Sequence, residues 1–142
     1  MNEPLIIVVD TSVFVSAVLG TGASRAVLRG CLNYDYLPLM GNALFTEYES
    51  LLSRDALFAQ CALSKIEREK LLDAFLSVCR WTNIYYNFRP NLKDEADNHL
   101  IELAIAGGAS HLVTKNRKDF LAADLHFPHI QIVLPEQLLK QG

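Results

Sequence analysis

Four oxygen-bearing side chains stand where strands and helices of this chain are expected to present them: Asp10, Glu47, Asp97 and Asn116. A cluster of carboxylate and amide oxygens without His or Cys suits a hard cation, Mg2+ or Mn2+. Such an ion can activate water and neutralise the charge of a phosphodiester. Without one, three clustered carboxylates would repel one another and raise their own pKa values. Whether the four residues meet depends on the elements that carry them.

Asp10 ends the run Leu5–Val9, five consecutive aliphatic residues that read as a strand buried on both faces of a parallel sheet. In open α/β sheets the working crevice lies beyond the carboxyl ends of the strands. Asp10 could equally cap the following helix, because Asp, Thr and Ser, the residues at 10–12, are all good N-caps. Glu47 lies on a helix expected from an Asn42 cap to about Leu52, at the edge of the stripe Leu44, Tyr48, Leu51 and Leu52. A carboxylate there either snorkels outward, the commoner case, or is held toward a pocket. Asp94 and Asp97 open a helix that closes at Gly107–Gly108, and they share a face with Ile101 and Ala104. An N-cap explains Asp94 well and Asp97 less well, because acids in a first turn are ordinary but not on an apolar face. Asn116 follows a short buried strand at His111–Thr114.

The rest of the chain alternates in the same way. Val13–Leu19 reads as a short helix stopped by Gly20 and Gly22, and Ser24 as the opening of a second helix to about Leu32 with Arg25 and Arg29 outward. Leu37–Met40 reads as a strand. Ser64–Glu67 is a capping box for a helix with Leu71, Leu72, Phe75, Leu76 and Cys79 inward and Lys65, Arg68, Glu69, Lys70 and Asp73 toward water. Trp81–Tyr86 and Ile130–Leu134 read as strands, and Pro135 starts a last short helix. Strand and helix in alternation imply an α/β fold with a central parallel sheet.

A length of 142 residues implies one domain over residues 1–142, and 51% hydrophobic with 20% charged residues is the composition of a globular core. The net charge of −3 gives no general basic footprint, so any nucleic-acid contact must be local. Three cysteines without CxxC spacing read as reduced thiols, and the first aliphatic run is too short for a signal peptide or a membrane span. A cytoplasmic protein with no membrane partner is therefore expected. There is no GxGxxG after the first strand, no P-loop and no GxSxG. His126 and His129 lack a second pair to complete a zinc site.

Taken together, VVDTSVFVSAVL at 8–19, Glu47 within ALFTEYESLLSR, DEADNHLIELAIAGGASHLVT at 94–114 and KNRKDF at 115–120 give a chain that resembles PIN-domain proteins, in particular the toxin-like ones related to VapC toxins. The resemblance implies a three-layer α/β/α fold and a Mg2+- or Mn2+-dependent ribonuclease site. Asp10, Glu47 and Asp97 would be its metal-binding carboxylates, with Asp94 an auxiliary acid and Ser12 and Thr114 in support. Many such domains carry an Asp where this chain has Asn116; the amide oxygen can coordinate a cation but adds no charge, and Asp119 could partly substitute. One well-bound ion is then expected. The leading expectation is an endoribonuclease acting on single-stranded RNA as the toxin of a toxin–antitoxin pair, with Arg25, Lys115, Arg117 and Lys118 as phosphate contacts. The resemblance also implies a homodimer and a small antitoxin protein that occupies the groove. A PIN-like interaction module and a housekeeping RNA-processing nuclease are the alternatives.

Overall fold

The structure is a computed structural model and describes residues 3–20, 22–84, 98–120 and 127–141. Five strands form one sheet: β1 (Leu5–Val9), β2 (Tyr36–Met40), β3 (Arg80–Trp81), β4 (His111–Val113) and β5 (Gln131–Val133). Every pairing is parallel, in the order β3-β2-β1-β4-β5. The chain thus steps outward from β1 to β2 to β3, then returns past its start to β4 and β5. Right-handed crossovers in opposite directions put the connecting helices on opposite faces, which gives three α/β/α layers.

On the outward path lie α1 (Thr11–Val18), α2 (Gly22–Leu32), α3 (Asn42–Leu52) and α4 (Lys65–Val78), with a 3-10 turn at Asp55–Phe58. The return path carries α5 (Asn98–Gly107), which packs against β1, β2 and β4. A second 3-10 turn, Arg117–Phe120, follows β4, and α6 (Pro135–Gln141) closes the chain against α2 and β5. Ile7, Val8, Leu112 and Val113 are wholly buried, as strands covered on both faces require. α5 lies so close to the sheet that a Cβ at Gly107 would collide with Leu39. Gly20 turns the chain out of α1 at φ +100°, a left-handed value that glycine tolerates without strain. No single described helix is long and apolar enough to cross a membrane.

Several local expectations are corrected. α2 begins at Gly22 rather than after Ser24, and the Ser24 hydroxyl is buried within the helix. Gly22 is therefore a start, not a stop. Gly41 occupies the N-cap of α3 and Asn42 is its first residue, with no side-chain cap bond. The Ser64–Glu67 capping box is present in both directions, at 3.2 and 2.9 Å. Arg68 on that helix does not face water: it is only 5% exposed. Its guanidinium lies 4.5 Å from the Phe58 ring centroid, donates to the Leu63 carbonyl at 3.3 Å and meets Asp55 at 3.5 Å. The segment 55–63 folds over this position, which a helical wheel cannot register. Cys31 is buried and free, its thiol pushed up to about 12 by burial, and Cys61 and Cys79 are also unpaired.

Candidate active site

A doubly wound sheet opens a crevice where the strand order reverses, here between β1 and β4. The register sets Val9 against Val113, and the Asp10 N–H donates to the Val113 carbonyl at 2.9 Å. Asp10 and Thr114, the next residues on each strand, are thereby neighbours at the crevice floor. Asp10 holds the N-cap position of α1, yet its side chain makes no cap hydrogen bond. Capping does not explain it.

Instead, Asp10 Oδ2 accepts from Thr114 Oγ1 at 2.7 Å and from Ser12 Oγ at 3.1 Å. Both hydroxyls are aimed by backbone amides: Asn116 N–H donates to Thr114 Oγ1 at 3.0 Å and Lys115 N–H to Ser12 Oγ at 3.1 Å. With an acceptor lone pair of each hydroxyl so engaged, its proton is directed at the carboxylate. Among the described residues the other oxygen, Oδ1, has a long 3.4 Å side-chain approach from Thr11 Oγ1. That hydroxyl is committed elsewhere, donating to Glu47 Oε1 at 2.7 Å. Thr11 therefore links the two acids, and Oδ1 accepts no shorter side-chain hydrogen bond among the described residues.

Burial raises the Asp10 carboxyl above its ordinary value; Thr114 and Ser12 oppose the shift and the charge of Glu47 adds to it. Glu47 moves the other way. Its Oε2 meets His99 Nε2 at 3.0 Å, and this hydrogen bond lowers its pKa against the cost of partial burial. An ionised carboxylate only accepts, so His99 donates from Nε2. His99 Nδ1 is then a buried atom without a partner among the described residues. Next to Glu47 on α3, Tyr48 ties the helix to β1: its buried phenol donates to the Val9 carbonyl at 2.8 Å and meets Phe14 edge-on. Burial keeps that phenol well above its ordinary pKa, so it remains a donor.

The structure brings Asp10, Ser12, Thr114 and Glu47 into one hydrogen-bonded set and ties Lys115 and Asn116 to it through their amides. The Asn116 carbonyl accepts from Asp119 N–H at 2.9 Å, which closes the turn; both side chains are exposed. Lys115 Nζ reaches Ser16 Oγ at 3.4 Å, Arg117 Nε donates to the Ile132 carbonyl at 3.0 Å, and Lys118 is exposed. Arg25 is not brought to the site: its Nε donates to the Ala17 carbonyl at the far end of α1. Asp94 and Asp97 lie outside the described residues, and among those described no three His, Cys, Asp or Glu side chains gather. Thr11 and His99 were missed by sequence reasoning. Thr11 reads as one of three cap residues, and no motif marks His99.

A buried carboxylate with a second acid one hydroxyl away and, among the described residues, no cationic side chain paired to it fits a hard divalent cation. A family model described as a PIN domain matches residues 6–118. Comparison with curated protein sequences gives no significant match. Among solved structures the chain is similar to one in the crystal structure of VapBC2 from Rickettsia felis bound to a DNA fragment from their promoter, with a TM-score of 0.62 and 18% identity over 92% of this chain and 98% of that one. At that identity the likeness concerns the fold.

Proposed function

The chain belongs to the PIN-domain family, and on that premise we propose that it is a divalent-metal-dependent endoribonuclease of single-stranded RNA, acting in the cytoplasm as the toxin of a toxin–antitoxin pair. The observation that carries this reading is the buried Asp10 carboxylate at the β1/β4 crevice, with one oxygen fixed by two hydroxyls and the other, among the described residues, meeting a side chain only at 3.4 Å. Mg2+ or Mn2+ bound there would supply activation of water and neutralisation of phosphodiester charge. Asp10 and Glu47 would hold the ion, with Asp97 and Asn116 as the further ligands that family resemblance assigns. The chain's own residues do the positioning: Ser12 and Thr114 fix the Asp10 rotamer, and Thr11 and His99 fix Glu47. Lys115, Arg117 and Lys118 on the turn after β4 would offer cations to neighbouring phosphates.

The toxin assignment and an antitoxin partner draw on the likeness to VapBC2, and the dimer on family resemblance. The test is cleavage of a labelled single-stranded RNA with Mn2+ or Mg2+ by wild type and Asp10→Asn purified in parallel. Cleavage confined to wild type supports the assignment; equal cleavage by both would remove it. Co-purification with the product of an adjacent small reading frame tests the antitoxin, and independent purification of the two would count against it.

A further inference from the structure

We propose that Phe45 and Trp81 form a nucleobase-stacking subsite beside the carboxylates, taking an unpaired base of the RNA next to the phosphate at Asp10. The inference rests on the nuclease reading above and adds to it a residue pair that the metal chemistry does not involve. Trp81, the single tryptophan of the chain, is the last residue of β3 and pairs with Met40, the last residue of β2. The β1–β2 register, Ile7 against Pro38, carries on to set Val9 beside Met40, and Val9 pairs with Val113. Trp81 therefore ends the same row of the sheet that immediately precedes Asp10 and Thr114. Two strand spacings, about 10 Å, separate it from β1, the reach of a neighbouring nucleotide.

Phe45 stands in the first turn of α3, the helix that carries Glu47. Its ring meets Trp81 at 5.5 Å between centroids with 62° between planes. An edge-on contact covers at most one face of the two rings, and Trp81 is 50% exposed. Single exposed hydrophobic residues are common and need no explanation. What distinguishes this one is its place at the working end of the sheet and the charge of the protein around it. A chain of net charge −3 with two carboxylates at its site has no broad cationic face for RNA. Stacking supplies affinity that does not depend on charge, and it tolerates any base. A strand crossing the carboxyl ends of the sheet would meet Lys115 and Lys118 beyond β4 and the ring pair beyond β2.

The experiment uses the full chain carrying Asp10→Asn, to prevent cleavage, with single-stranded hexa-adenylate and an abasic oligomer of equal length. Trp81 fluorescence should be quenched by the first and not by the second. Affinity, read from a fluorescein-labelled hexa-adenylate, should survive Trp81→Phe within a few-fold and fall about 5- to 100-fold in Trp81→Leu and Trp81→Ala. Leu can pack against Phe45 but offers no π face, so it separates stacking from a structural role. Wild-type affinity in the Leu variant, or equal quenching by the abasic oligomer, overturns the subsite and leaves the nuclease reading standing. Loss of a dimer on Trp81→Ala, measured by sedimentation, would make the ring a contact between copies and overturns it too. No RNA binding by any of these proteins, the Trp81 parent included, overturns the nuclease reading and the subsite together.

Discussion

Asp10 and Arg68 are each 5% exposed, and the protein treats these two buried charges in opposite ways. Arg68 is answered from within: a ring face, a backbone carbonyl and Asp55 receive its guanidinium, although its Nε finds no partner among the described residues. Asp55 is largely exposed, so the ring and the carbonyl matter more than the ion pair. Among the described residues Asp10 accepts from hydroxyls, with a contribution from the Thr11 backbone, and the charge acting on it is that of another acid. A charge neutralised by its own fold is scaffold. A buried charge that the fold positions but does not neutralise is a place for a ligand of opposite sign.

The contrast breaks most visibly by substitution at Asp10. Asp10→Asn should lower RNA cleavage by more than about 100-fold, since loss of an outer partner alone costs about 10–100-fold at metal sites. The same change should raise the stability of metal-free protein by about 1 kcal/mol, an ordinary single-site effect, here of stabilising sign. Arg68→Ala should do the reverse: a loss of about 1–3 kcal/mol in urea denaturation with Mn2+ affinity unchanged. If Arg68→Ala weakened metal binding, the separation between scaffold and site would fail.

Outer contacts sharpen the picture at smaller scale. Thr114→Val removes the shortest hydrogen bond to Asp10 and Thr11→Val removes the link to Glu47; each should weaken Mn2+ binding about 10–100-fold, read by calorimetry. Retained affinity in both would show that the hydroxyls merely satisfy the turn.

The smallest effect is a pH dependence. Asp10 has a native pKa above the ordinary 3.8. Between those two values the folded chain keeps a proton that the unfolded chain has released, so stability from this group falls as pH rises through the window. Glu47, lowered from 4.5, contributes the opposite slope below that value. Asp10→Asn removes only the first term. Its stability advantage over wild type, from urea curves without metal, should therefore grow as pH rises above the ordinary 3.8 and level off once the native carboxyl has ionised. An advantage that shrinks with rising pH would mean Asp10 is compensated after all.

Much of this was legible in the residues. The run 5–9 stops abruptly at Asp10 and places that residue at the strand end, while the choice between cap and site is made by the missing cap bond and the Thr114 and Ser12 partners. Glu47 at a stripe edge admitted two orientations, and only the Thr11 and His99 partners select the inward one. A helical wheel sends Arg68 to water because it reports one helix, whereas its burial comes from residues 55–63 folding over it. Ser24, a good cap by type, marks the wrong start for α2 because it lies buried within the helix, which Gly22 opens. The strand expected over 81–86 starts at Arg80 and does not extend through 82–84, because β2 ends at Met40, the partner of Trp81; residues 85–86 lie outside the described residues.

The central claim, that Asp10 is left unbalanced in order to hold a cation, is tested most directly by Mn2+ titration calorimetry on wild type and Asp10→Asn at fixed pH and low salt. Wild type should bind about one ion tightly, and Asp10→Asn should show no comparable heat while unfolding at an equal or higher denaturant concentration. Equal Mn2+ binding by a well-folded Asp10→Asn protein would contradict the account.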